Sequence, residues 1–159
     1  MLGSASFVGL TRKEKVMLTR IALVLGMAAV PALAADPPGF VVWSKGAAPA
    51  GSPAKIQFDN HGWSLAHREK SGVVESHESR AIVMVVQSGE ATLVVGNDVV
   101  DEKRTSPTEV RGTSIRNGVQ RKVGAGDIIN MPAGLPHQFL LEPGQQITYI
   151  DVVINNAAR

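Results

Sequence analysis

With 159 residues, 16 Lys and Arg against 14 Asp and Glu, and no cysteine, the chain has room for one domain and hardly two. The missing cysteine excludes disulfides, thiolate metal ligands and a thiol nucleophile. The positive excess lies in residues 1–34, where Arg12, Lys13, Lys15 and Arg20 face only Glu14, so the remainder is near neutral and offers no basic surface for nucleic acid.

In chain order, Met17 to Pro38 reads MLTRIALVLGMAAVPALAADPP. Arg20 is a positive start, Ile21 to Val30 a short apolar run, and Ala32-Leu33-Ala34 a small-x-small cleavage pattern. The run falls short of the ~20 residues that a bilayer span requires. Residues 1–34 are therefore expected to be a signal peptide, with Met17 a better initiator than Met1. The mature protein is expected in the periplasm or secreted, with no membrane span. An exported chain without disulfides depends on its core or on subunit contacts, and about 125 mature residues suffice for a core.

Residues 35–53 are rich in Pro, Gly and Ala, with one apolar island at Phe40-Val41-Val42-Trp43; they read as an arm or linker. From there to residue 155 the pattern is β throughout. AKIQF, GWSLAHRE, RAIVMVVQ, EATLVVG, SIRNG, VQRKV, DIINMP, HQFLL and QITYIDVVI are short runs rich in Val, Ile and Thr. Turn signals at Asp59-Asn60, Ser88-Gly89, Gly96-Asn97-Asp98, Asn117-Gly118, Gly124-Ala125-Gly126 and Pro143-Gly144 divide them. Asn117-Gly118 predicts a two-residue hairpin. Val100 to Gly112 is polar, of mixed charge and carries Pro107. It reads as a solvated surface loop, a lid over a barrel mouth being the sharper alternative. Without a convincing amphipathic helix after residue 35, the pattern is that of an all-β sandwich or barrel.

The candidate chemistry rests on four histidines, His61, His67, His77 and His137. No G-x-S-x-G elbow, glycine-rich phosphate loop or H-E-x-x-H is present, which leaves metal binding. On a strand, Glu75 and His77 of ESHES point to one face. If the sheet closes so that His137 faces them, the three form a two-histidine, one-carboxylate set with open positions, which suits Fe(II) or Mn(II). His61 and His67 read as surface or strand-edge histidines, and Arg80 as a surface ion pair or a contact for an anionic substrate. Aromatic content is only 4%, so Trp43, Trp63, Phe139 and Tyr149 fill core more readily than they line a pocket.

Gly126, Pro132, Gly134 and His137 fit the pattern G-x5-P-x-G-x2-H without a gap. By this motif the chain from about Lys55 to Asn155 resembles the cupin family. The family's other motif, G-x5-H-x-H-x(3,4)-E-x6-G, fits in part. Gly89 closes it, Ile82 stands where the family has glutamate, His77 matches the second histidine and Glu75 replaces the first. Gly72 lies too close to Glu75 for the opening glycine.

The resemblance implies a single jelly-roll β-barrel over residues 54–155 and a homodimer; separately, the arm around Phe40–Trp43 is a candidate for exchange between subunits. It also implies that Glu75, His77 and His137 converge near the barrel's open end. There they would hold a divalent metal ion (Mn, Fe, Ni, Co or Zn) beside a small-molecule ligand, with Ile82 removing one donor. Three functions stay open. One is a metal-dependent enzyme of dioxygenase, isomerase or lyase type, with catalytic residues unassigned. The others are a non-catalytic small-molecule binder, with or without metal, and a degenerate barrel that works through an interface.

Overall fold

A computed structural model describes residues 37–155, so the signal-peptide expectation for residues 1–34 lies outside the described residues. Two compact units divide between Phe40 and Val41. The second unit carries the strands. These are β1 (Lys55–Gln57), β2 (His61–Arg68), β3 (Val74–His77), β4 (Arg80–Val95), β5 (Asp98–Val100), β6 (Lys103–Ser106), β7 (Glu109–Gly112), β8 (Ser114–Arg116), β9 (Val119–Gly124), β10 (Ile128–Met131), β11 (His137–Leu140) and β12 (Ile147–Asn155). The fold is all-β, a single jelly-roll barrel, and its pairings are antiparallel. The only helical element among the described residues is one 3-10 turn at Ser44–Gly46.

The order β1-β2-β12-β4-β11-β3-β7-β6 runs through the main sheet, and β4 organises it. Its first half pairs with β12 and β10, its second half with β11 and β9. One 16-residue strand thus belongs to both walls of the barrel. The corner is built locally. Opposite Thr148 and Tyr149 the register shifts, leaving Gln87 as an extra residue on β4, and Gly89 follows with φ 76°. A bulge of this kind reverses which residues face inward. Ile82, Met84 and Val86 are buried before it, Ala91 and Leu93 after it. Between the walls these residues meet Val123, Met131, Phe139, Ile147 and Tyr149. Their burial, at about 25 cal/mol per Å² of apolar surface, drives the closure.

Three local expectations are corrected. Ser88-Gly89 bends one strand and does not separate two. At Asn117-Gly118 only Asn117 has positive φ, and the flanking strands do not pair with each other. Instead β8 pairs with β5 and β9 with β4. Gly118 passes so close to β4 that an added Cβ would lie 2.7 Å from Val94 Cγ1. Finally, Val100–Gly112 is not a solvated loop. It contains the β6–β7 pair, and β7 joins the barrel beside β3.

Candidate metal centre

Two adjacent strands bring the expected residues together. His137 on β11 sits directly across from Glu75 on β3, and His77 lies two residues further along the same face. The Pro132–Pro136 turn is tied to β3 by two hydrogen bonds. Gly134 N–H donates to the His77 carbonyl at 2.9 Å, and Ser76 Oγ donates to the Gly134 carbonyl at 3.0 Å. Gly134 adopts φ 78°, open to glycine at little cost. The glycine and prolines therefore aim His137 at Glu75, while Ser76, on the opposite face of β3, holds the turn in place.

Glu75, His77 and His137 each offer one donor atom, and these lie within 4.8 Å of one another. Both histidines are buried, 6% and 4% exposed. Their other ring nitrogens are engaged. His137 Nδ1 donates to the Leu135 carbonyl at 3.0 Å, so its Nε2 keeps a lone pair for the cluster. His77 Nδ1 lies 2.8 Å from Glu109 Oε1. The hydrogen bond at that nitrogen comes from Arg80 Nη2 at 3.0 Å, and His77 Nε2 is turned toward Glu75 Oε2, 3.6 Å away. Arg80 Nη2 also donates to Glu109 Oε1 at 2.8 Å. Arg80 and Glu109 together brace the His77 ring from behind.

The electrostatics favour the donor forms. Burial pushes the His137 imidazole below its ordinary pKa, the bond to Leu135 partly opposing it. The neutral, metal-ligating form is thus preferred. The Glu75 carboxyl is held down to about 2 by its hydrogen bond with His77 and by Arg111 and Arg68, against the cost of burial. His77 Nε2 is 3.6 Å from Glu75 Oε2, whereas Arg111 Nη1 is 2.6 Å and Arg68 Nη2 is 3.7 Å from Oε1. One oxygen of Glu75 serves the arginines and the other faces the histidines.

The cluster opens onto a cavity of about 210 Å³ whose lining includes Arg68, Arg80, Ile82, Arg111 and Asp151. Ile82, 5% exposed, adds an apolar wall to it. The three donors suit a metal with open positions on the cavity side. Trp63, Phe139 and Tyr149 also line the cavity. Trp43 does not; it packs edge-on to Trp63 at 6.0 Å between ring centroids. His61 and His67 stay outside, His61 stacked on Phe58 and His67 bonded to Thr148.

Sequence reasoning missed Arg68, Glu109, Arg111 and Asp151. Glu109-x-Arg111 has the same two-residue spacing as Glu75-x-His77 and is the signal that was there to read. In register, Arg111 lies opposite Glu75 and Glu109 opposite His77.

No protein-family model matches the chain, and no curated protein matches it. Solved structures do resemble it. A double-stranded β-helix protein from Klebsiella pneumoniae matches at TM-score 0.49 and 18% identity, over 78% of this chain and 95% of that one. A cupin protein from Bacteroides fragilis matches at 0.48 and 11%, over 71% and 84%. The polyketide cyclase RemF from Streptomyces resistomycificus matches at 0.42 and 21%, over 64% of each chain.

Proposed function

We propose that this protein is exported and that its barrel binds a divalent metal through Glu75, His77 and His137 together with a small organic molecule, as a metal-dependent enzyme. The observation that carries the reading is the pair of buried histidines, His137 held through Nδ1 by Leu135 and His77 braced by Arg80 and Glu109, which turn toward one point with a Glu75 oxygen. A metal held there would polarise a carbonyl or activate water. The residues of this chain do the rest. His137 stays neutral, Ile82 limits the donor number, and the arginines set the charge of the cavity.

Mn, Fe, Ni, Co and Zn all suit a set of two imidazoles and one carboxylate without sulfur. A second reading, small-molecule binding without metal, has its own support, since Arg111 and Arg68 already neutralise Glu75. Export rests on Arg20, the apolar run Ile21–Val30 and Ala32-Leu33-Ala34. A homodimer belongs to the same reading, with exposed Val41 and Val42 available to a partner.

Elemental analysis and calorimetric titration with Mn²⁺ and Zn²⁺ test the metal site. About one ion per chain is expected in the native protein, and at least about a hundredfold weaker binding in His137→Ala. Metal that stays bound to His137→Ala with unchanged affinity, or native protein that takes up none, sinks the reading in favour of the metal-free binder.

A further inference from the structure

The charges of the cavity do not cancel. Four cationic side chains line it, Lys55, Arg68, Arg80 and Arg111, against two carboxylates, Glu75 and Asp151. Two of the arginines are committed. Arg111 pairs with Glu75 and Glu109, and Arg80 with Glu109. Arg80 nevertheless keeps its Nε buried without a partner.

Arg68 is different. Its Nε donates to Tyr149 Oη at 2.7 Å, and its guanidinium carbon sits 5.9 Å from the centre of the Phe139 ring. Tyr149 and Phe139 are both buried, so the guanidinium is held on a rigid base. Its Nη2 is 3.7 Å from Glu75 Oε1, too far for a hydrogen bond. Among the described residues, no acceptor is hydrogen-bonded to the terminal nitrogens of Arg68. A pre-positioned guanidinium fork with unused donors matches the two oxygens of a carboxylate. It stands beside the cluster of Glu75, His77 and His137, in a cavity with room for about seven waters.

We propose that the ligand of this cavity is a small organic carboxylate, received by Arg68 next to the Glu75–His77–His137 cluster. The proposal rests on the reading of the cavity as a ligand site and is independent of whether the cluster holds metal. Tyr149 is a positioning residue, acting through Arg68. A neutral molecule of the same shape would leave the donors of Arg68 unanswered, and burying it against them would cost affinity.

The test uses matched pairs, propionate with propionamide and benzoate with benzamide, with and without Mn²⁺. Tryptophan fluorescence, since Trp63 lines the cavity, and the shift in Tm report binding. The acids are expected to bind at least about tenfold more tightly than the amides. Arg68→Gln should abolish that preference, and Tyr149→Phe should reduce it several-fold with the core intact. Should Arg68→Gln fail to fold, Tyr149→Phe decides.

Equal binding of acids and amides would overturn the proposal. So would a preference undiminished in the variants, or no binding of either acid at ~10 mM to protein that binds metal normally. A carboxylate preference in protein that takes up no metal would instead overturn the metal site and leave this proposal standing.

Discussion

Asp151 and His137 face the same cavity and show how burial sorts titratable groups. His137 was legible in the sequence, because Pro132, Gly134 and Pro136 dictate a turn that ends on it. Asp151 was not, since a lone acid within ITYIDVVIN says nothing about which wall it faces. Burial pushes its carboxyl up to about 6 from 3.8, with Arg68 partly opposing. Its Oδ1 is buried without a hydrogen-bond partner. A carboxyl whose folded pKa is raised destabilises the folded state when ionised. That cost is full above about 6 and disappears as pH falls toward the unfolded value. A shift of about two units corresponds to about 3 kcal/mol at most. Asp151→Asn is therefore expected to be more stable than the native protein by about 1–3 kcal/mol near pH 7, the gap closing toward about pH 4. Urea unfolding at both pH values measures it. A gap that does not change with pH would show that Asp151 is not the buried charge described.

Among elements, β3 and β7 were the hardest to read and matter most to the site. Glu75-Ser76-His77-Glu78-Ser79-Arg80 has the polarity of an exposed loop, yet Ser76 and His77 are buried. Their polar groups are satisfied by Gly134 and Arg80, so burial costs little. Hydrophobic alternation, the main strand signal, is blind to such a strand. β4 shows the opposite case, where Ser88-Gly89 resembled a turn because glycine marks both turns and bulges. At φ 76°, with an added Cβ 1.9 Å from the Gln146 carbonyl oxygen, Gly89 tolerates no side chain. Gly89→Ala should cost about 2–4 kcal/mol, from the left-handed backbone together with the displaced β12. A urea midpoint equal to that of the native protein would mean that the corner does not depend on this residue.

For the molecule as a whole, the core of Ile82, Met84, Val86, Leu93, Phe139, Ile147 and Tyr149 adjoins the charged cavity. Ile82, Met84, Phe139 and Tyr149 belong to both, so the packing that stabilises the fold also braces Arg68. Among the described residues, no helix is long and apolar enough to cross a membrane. The proposed export adds a prediction at this scale. Expressed from its full sequence in a bacterium, the protein should leave the cytoplasm and begin at Ala35, as fractionation and N-terminal sequencing would show. A chain that stays in the cytoplasm with Met1 or Met17 at its start would remove export from the reading. Size-exclusion chromatography of the same material at micromolar concentration tests the homodimer, which a monomeric elution would exclude.

By itself the sequence determined the all-β class, most of the strands, the turn before His137 and the identity of three candidate ligands. These follow from local physics, namely alternation along a strand and the limited backbone conformations of glycine and proline. Only the tertiary structure decided that Glu75 lies opposite His137, that Glu109 stands behind His77, and that Arg68 is braced by Tyr149. Each of these pairs joins strands distant in the chain, and their register is set by how β4 turns its corner and how the two walls share one core. No local pattern encodes that register, so the charge of the cavity became legible only once the barrel was closed.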